Sequence, residues 1–194
     1  MIIDFRTYFS NYSDHLSGLL NKLDLNKLNL VIDILLEARK QDNTIYFVGN
    51  GGSAATASHF SEDLASVGRK INRKLFKTLS LADNTSYITA LANDYGYDKI
   101  FAYQLEQLLQ KGDVLIAISA SGNSQNIIKA VEYARGKGAT TIGMLGFDGG
   151  KLLTLCDYNI HVTTKIGEYG PVEDIHLFID HIITGYLIER LMQE

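Results

Sequence analysis

The chain has 194 residues, which is enough for one domain with a buried core. Hydrophobic residues make up 46% and charged residues 21%, as in ordinary globular proteins. The formal net charge is −4 and the sequence has no basic cluster, which argues against a nucleic-acid-binding protein. The only cysteine, Cys156, excludes an internal disulfide and fits a reducing compartment. Because the sequence also lacks a signal-peptide pattern and a run of ~20 apolar residues, we expect a cytoplasmic protein with no membrane partner.

The first 41 residues predict two amphipathic helices, over 3–22 and 26–40. Apolar residues such as Phe5, Phe9 and Leu16 recur in the first helix at helical spacing. Helices that precede a sheet in this way can pack on their own domain and can also contribute to an oligomer interface. We expect these two helices to do both.

The rest of the chain alternates between predicted strands and predicted helices. We expect the first long helix to begin with Ser53 as its N-cap, to run to Val67 and to stop at Gly68. Residues 93–97 read as a polar, aromatic loop, and Pro171 is expected just before the last helix. The alternation predicts an α/β fold, with one doubly wound, five-stranded parallel sheet in a single domain over residues 1–194. The predicted strands are 45–48, 74–81, 114–118, 141–145 and 158–162, and the helices after residue 41 are 53–67, a short helix after 85, 100–109, 125–135 and 173–193.

A glycine-rich turn follows the first predicted strand. Its sequence is Gly49-Asn50-Gly51-Gly52-Ser53, and glycine allows both positive φ and close approach of a ligand to the backbone. The helix after the turn offers free N–H groups and the positive end of its dipole, which suit a phosphate or a sugar hydroxyl. A plain strand-to-helix turn is the alternative at this point.

A second polar loop follows the third predicted strand. It contributes three hydroxyls, from Ser119, Ser121 and Ser124, and it also opens a helix. Ligands of open α/β sheets bind beyond the carboxyl ends of the strands, where both loops should lie. The chain lacks the P-loop pattern and the G-x-G-x-x-G spacing of dinucleotide sites. The two loops together therefore favour a phosphomonoester without a nucleotide.

Five motifs taken in order resemble the SIS (sugar isomerase) domain family, over nearly the whole chain and including the two leading helices. Within that family the chain is similar to the branch whose members convert sedoheptulose 7-phosphate to D-glycero-D-manno-heptose 7-phosphate for heptose-containing glycans. The resemblance implies a homotetramer with active sites between subunits. The motifs are Gly49-Asn50-Gly51-Gly52-Ser53, His59-Phe60-Ser61-Glu62-Asp63, Asn93-Asp94-Tyr95-Gly96, Ser119-Ala120-Ser121-Gly122-Asn123-Ser124, and Glu173-Asp174-Ile175-His176 with His181.

The resemblance also implies the site residues. Asp63 falls on the family's general base and His181 on its general acid. One zinc ion per subunit is expected at the family's metal positions, which are His59, Asp63, Glu173 and His181. Contacts to the sugar phosphate are implied for Asn50, Gly51, Gly52, Asp63, Asn93, Asp94, Ser119, Ala120, Ser121, Ser124 and Glu173.

Two of these positions depart from the family pattern. Asp63 stands where the family has glutamate, and Glu173 where it has glutamine. Glu62 is an alternative base, because on a helix His59 faces both Glu62 and Asp63. Glu173 and His181 are eight residues apart, a rise of ~12 Å on a straight helix. Either Glu173 precedes the regular helix, or two subunits supply these two side chains.

Other interpretations stay open from the sequence. A non-catalytic SIS protein, acting as an adaptor for a replication initiator or as a sugar-phosphate sensor, would keep the fold and the serine loop without needing the metal residues. An isomerase of a different sugar phosphate would keep the serine loop and the metal residues as well as the fold. Taken singly, His59 is most simply an exposed histidine, while His176 and His181 read as core histidines bonded to Asp180 or to the backbone.

Overall fold

The computed structural model describes residues 3–193, in which five strands form one all-parallel sheet of order β2-β1-β3-β4-β5. The expected α/β architecture is confirmed. The central strand β3 is buried along its whole length, as the continuous apolar run predicted. The strands are β1 Thr44–Val48, β2 Lys77–Ser80, β3 Val114–Ser119, β4 Thr140–Leu145 and β5 Tyr158–His161.

Helices cover both faces of the sheet, because successive strand residues point to opposite faces. Ile45 and Phe47 of β1 join a core formed with the helices α2, α3 and α8, whereas Tyr46 and Val48 join a second core formed with α5 and α6. A single 3-10 turn, Tyr97–Lys99, follows α4 in the described part of the chain. The helices are α1 Phe5–Leu20, α2 Leu25–Gln41, α3 Gly52–Lys70, α4 Thr85–Tyr95, α5 Ala102–Leu108, α6 Gln125–Gly136, α7 Leu152–Leu155 and α8 Tyr169–Met192.

The two leading helices pack very differently. The carboxylates of Asp4 and Asp24 cap α1 and α2. Helix α2 buries five residues on the domain, but α1 buries only Leu19 among the residues the structure describes. Phe5 and Phe9 on α1 are 79% and 62% exposed. Helix α1 therefore presents an aromatic surface to its surroundings.

The expected boundaries of α3 are wrong at both ends. Gly51 holds the N-cap position with φ 54°, and Ser53 lies inside the helix rather than capping it. Gly68 lies inside α3 and does not end it. A Cβ at Gly68 would overlap the carbonyl of Lys74, so glycine is needed there to let the returning chain cross the helix.

Two further expectations are wrong. Asn93, Asp94 and Tyr95 form the last turn of α4 instead of a loop, and the helix ends at Gly96. Pro171 is the third residue of α8 instead of preceding it. Proline is tolerated in the first turn because its missing N–H would have no helical partner there. In residues 3–193, no helix is both long and apolar enough to cross a bilayer.

Candidate active site

A cavity of ≈ 120 Å³ opens at the carboxyl ends of β1 and β3. Both predicted loops line it, as expected for the ligand edge of a parallel sheet. Helix α8 closes it from the side with Tyr169 and Glu173. Its lining residues are Asn50, Ser53, Ile118, Ser119, Ala120, Ser121, Ser124, Tyr169 and Glu173.

The serine loop has a fixed shape. Gly122 has φ 63°, and a Cβ there would overlap the Gly149 carbonyl. The Ser119 hydroxyl accepts a hydrogen bond from the Gly122 N–H at 3.1 Å, and the Ser121 hydroxyl accepts from Asn123 N–H at 3.3 Å. Within residues 3–193, the N-cap residue Ser124 makes no capping bond with its own side chain, and of the first N–H groups of α6 the Asn126 amide oxygen accepts only that of Ile127, at 3.0 Å. The N–H groups of Gln125 and Asn126 and the Ser124 hydroxyl are therefore available to an anion.

Asn50 is held in one orientation by two neighbours. Its amide and that of Asn126 donate to each other's oxygen, at 2.9 and 2.8 Å. The Tyr97 hydroxyl also donates to Asn50 Oδ1, at 2.9 Å. Because the oxygen already accepts two hydrogen bonds, Asn50 offers the cavity an N–H donor.

A second group of polar side chains lies where α3 and α8 pack together. The two helices run in the same direction, with Glu173 beside Gly52 and His181 beside His59. His59 Nε2 is 3.1 Å from His181 Nε2 and 3.5 Å from Asp63 Oδ2. His181 Nε2 is 4.0 Å from the same carboxylate oxygen.

Asp180 is the fourth member of this group, which we call the His/Asp cluster: His59, Asp63, Asp180 and His181. One ligand atom from each side chain lies within 4.8 Å of the other three. Asp180 is fully buried, and burial, reinforced by the nearby carboxylates of Asp63 and Glu62, raises the pKa of its carboxyl to about 7. Two imidazoles and two carboxylates are a donor set that zinc accepts, so these residues fit the metal that the family resemblance implies.

Glu173 does not lie in the cluster. It is the fifth residue of α8, and its carboxylate sits against Gly52 on the cavity side, where a Cβ on Gly52 would overlap it. The expectation that Glu173 might precede the regular helix is therefore wrong. Glu62 is exposed, while the half-buried Asp63 contacts both histidines.

The other expected residues divide into two sets. Asn93 and Asp94 do not line the cavity; they are exposed at the end of α4 and bonded to each other at 2.8 Å. Gly51 and Gly52 form the turn beside the cavity. The structure brings Asn50, Ser119, Ala120, Ser121, Ser124 and Glu173 to the cavity wall, and His59, Asp63 and His181 to the cluster.

The residues that the sequence analysis missed are polar side chains that contact site residues from a different helix or loop. Tyr97 and Asn126 have no motif of their own, and the sequence suggests Asp180 only as a partner of a core histidine. The alternative interpretation of His176 as a core histidine bonded to Asp180 is wrong in its partner: His176 is buried, but neither side chain has a hydrogen-bond partner among residues 3–193. Burial lowers the pKa of His176 to about 4, against a weaker opposing effect of the Leu145 backbone.

The fold, the cavity and the sequence together identify the class of domain. A family model described as SIS domain matches residues 7–146. Two solved phosphoheptose isomerases share the fold over 95% of this chain and 96% of their own. The structure from Francisella tularensis gives a TM-score of 0.86 at 25% identity, and that from Neisseria gonorrhoeae gives 0.83 at 28%.

Curated sequences narrow the class further. The phosphoheptose isomerase of a Nitratiruptor species is 44% identical over 157 residues, which are 80% of this chain and 82% of that protein. That of Aliarcobacter butzleri is 45% identical over 159 residues, 81% of this chain and 82% of the relative. The chain therefore belongs to the phosphoheptose isomerase branch of the SIS domain family.

Proposed function

We propose that the protein is a ketose–aldose isomerase that converts sedoheptulose 7-phosphate to D-glycero-D-manno-heptose 7-phosphate, for heptose-containing glycans made in the cytoplasm. The observation that carries the proposal is the contact of Asp63 with His59 and His181 in a chain that belongs with the phosphoheptose isomerases. A carboxylate and an imidazole within 4.0 Å are the acid–base pair that such a reaction needs.

The reaction moves a carbonyl from C2 to C1 through an enediol. Asp63 removes a proton from C1, and after the enediol forms the same carboxyl returns a proton to C2. His181 carries a proton between the oxygens on C1 and C2. General acid–base catalysis of this kind contributes on the order of 10²–10⁴-fold to the rate.

The cavity is suited to the phosphate. The hydroxyls of Ser119, Ser121 and Ser124 and the N-terminus of α6 supply neutral hydrogen-bond donors, and no lysine or arginine is among the lining residues that the structure describes. Asn50 adds an amide N–H for a sugar oxygen. On the outer side of the same edge, Asn93 and Asp94 precede Tyr97, which bonds to Asn50, and this supports a role for them at the far end of the sugar.

We assign zinc to the cluster, one ion per subunit, with His59, Asp63 and His181 as ligands. When bound, the ion would stabilise negative charge on the substrate oxygens. A resident divalent cation also explains why the exposed His59 and His181 lie with their Nε2 atoms directed at each other, only 3.1 Å apart.

We also propose that the active protein is a homotetramer with shared sites, and that residues 1–194 form one SIS domain within each subunit. Phe178 and Ile182 are exposed on α8 on either side of the cluster, and the aromatic residues of α1 are exposed as well. The cavity end and the cluster end of α8 are eight residues apart, roughly 12 Å along the helix. A neighbouring copy that covers these apolar side chains would bring its own cluster towards this cavity.

The test is proton NMR of the purified protein with sedoheptulose 7-phosphate in deuterated water. Wild type should give aldose signals and incorporate deuterium at C2, and a chelator should slow both. His181→Gln should abolish turnover while leaving the oligomer intact. Absence of conversion and of exchange by zinc-loaded, assembled wild type would contradict the proposed reaction, and conversion unaffected by the chelator would contradict the assigned zinc.

A further inference from the structure

We infer that Asp180, instead of Glu173, supplies the second carboxylate to the metal. This inference rests on the metal site in the proposed function, but it does not require that the protein isomerise any sugar. It assigns a ligand set from a single chain: His59, Asp63, Asp180 and His181.

The first observation is the state of the Asp180 side chain. It is 0% exposed, and neither of its oxygens has a hydrogen-bond partner among residues 3–193. Burying a carboxylate without a partner is strongly unfavourable, and buried charges in proteins are paired or coordinate metals. No cationic side chain lies in the cluster that the structure describes, so a bound cation is the partner that would offset the cost.

The second observation is the direction of that side chain. Asp180 shares the 4.8 Å group with both histidines and with Asp63, although it comes from a different helix than His59 and Asp63. Two α3 residues and two α8 residues thus converge on one point. Four ligand atoms so close together match the number that zinc takes in proteins.

The third observation is the position of Glu173. Its carboxylate faces Gly52 at the cavity end of α8, ~12 Å along the helix from His181. Glu173 cannot reach the cluster of its own chain, so it would have to act in a neighbouring subunit. Asp180 already lies in the cluster of its own chain and needs no neighbouring subunit.

Charge gives the same answer. With a divalent cation bound, the ionised carboxylates of Asp63 and Asp180 would balance its charge, and the two imidazoles would add neutral ligands. Glu173 would then be left to the sugar-phosphate cavity, which it already lines.

The experiment is a zinc competition titration against a chromophoric chelator, on the assembled protein without substrate. Asp180→Asn should weaken zinc binding by on the order of 10- to 100-fold or more, since even residues outside the ligand shell have effects of that size. Glu173→Gln should change it by less than about threefold, which is within the context dependence of ordinary surface substitutions. The exposed Glu189 of α8 provides the matched control, Glu189→Gln.

Thermal unfolding supplies a second readout that does not depend on the titration. Metal-free Asp180→Asn should be at least as stable as metal-free wild type, because it loses an unpartnered buried charge. At one fixed zinc concentration, the rise in Tm should be the same for wild type and Glu173→Gln and clearly smaller for Asp180→Asn, because its weaker affinity stabilises the folded state less. Asp180→Ala, which removes the carboxyl group without adding volume to the buried site, should show the same small response to zinc.

Three results would overturn the assignment. They are zinc binding by Asp180→Asn that is as tight as in wild type, a loss of affinity in Glu173→Gln that Asp180→Asn does not share, and no zinc binding by wild type at all. A protein that binds zinc through Asp180 but does not convert the sugar would overturn the proposed function and leave this ligand assignment standing.

Discussion

The buried side chain of His176 makes the stability of the fold depend on pH in the acid range. Its pKa is lowered to about 4 from the ordinary value of 6.5, chiefly by burial. Between these values the unfolded chain takes up a proton that the folded chain refuses, so the free energy of unfolding falls as the pH falls through this window. Asp180 acts in the opposite direction, because its pKa is raised to about 7 from 3.8 and acid relieves its buried charge.

We predict that His176→Gln reduces the acid sensitivity of the protein. At about 1.4 kcal/mol per pKa unit, wild type should lose up to roughly 3 kcal/mol relative to the variant between pH 7 and pH 4. Urea unfolding at both pH values, at one protein concentration, gives this difference, and the contribution of Asp180 cancels in it. Parallel stability curves for wild type and His176→Gln would contradict the prediction.

At the scale of elements, the contact between α3 and α8 sets the width of the cavity. Gly52 opens α3, and its missing Cβ leaves room for the Glu173 carboxylate. Alanine would otherwise suit this first helical position, because it restricts the unfolded chain more than glycine does. The atoms that a Cβ would meet are at the end of a flexible side chain, so Glu173 can move aside.

Gly52→Ala should therefore alter binding more than folding. We expect the free energy of unfolding to change by less than about 1 kcal/mol, and the KM for the sugar phosphate to rise roughly fivefold, as for the loss of one hydrogen bond. In a Glu173→Ala background the same substitution should leave KM unchanged, since the carboxylate is already gone. Gly136→Ala, at the end of α6 on the other face of the sheet, is the control, because a Cβ there would meet open space. An equal rise in KM on Gly52→Ala with and without the Glu173 carboxylate would show that the contact between Gly52 and Glu173 does not affect binding.

Local sequence patterns predict the helices and strands well, but they do not predict contacts between these elements. The strands are recognisable because Ile45 to Val48 and Val114 to Ile118 carry the apolar character of a buried parallel sheet. Gly68 misleads because its glycine serves a chain crossing rather than a helix end. Both loops of the cavity are predictable, since each is a short segment directly after a strand. The place of Asp180 is not, because only the packing of α8 on α3 decides which α8 side chains meet His59.

At the scale of the whole molecule, the apolar surface is concentrated on one side. Exposed aromatic residues of α1 and the exposed Phe178, Ile182 and Tyr186 of α8 belong to helices on the same face of the sheet. Helices α1 and α8 also touch, through a hydrogen bond from Tyr12 to Asp174. Large exposed apolar surfaces of this kind mark sites of protein–protein association.

We predict that Phe178→Glu breaks the proposed homotetramer. A charge buried at an interface without a partner is strongly unfavourable, so light scattering after gel filtration should give a lower mass than for wild type. Turnover should fall with assembly if sites are shared. Leu108→Glu is the matched control, because Leu108 is equally exposed, at 41% against 42%, but lies on α5 on the opposite face. An unchanged mass for Phe178→Glu would remove this face from the interface.

The pairing of β1 with β3 also has a kinetic consequence. Thr44 and Asp113, 69 positions apart in the chain, hydrogen-bond where these strands meet. Parallel pairings over such separations must close a long loop before they gain contacts, which makes them slow to form. The aromatic helix α1 needs no such closure, and it leaves the ribosome before every strand of the sheet. During synthesis, each chain therefore exposes the aromatic residues of α1 well before its ligand cavity can form, because the cavity also needs α8. We expect chaperone binding and early association of nascent chains through α1 to decide the yield of this protein.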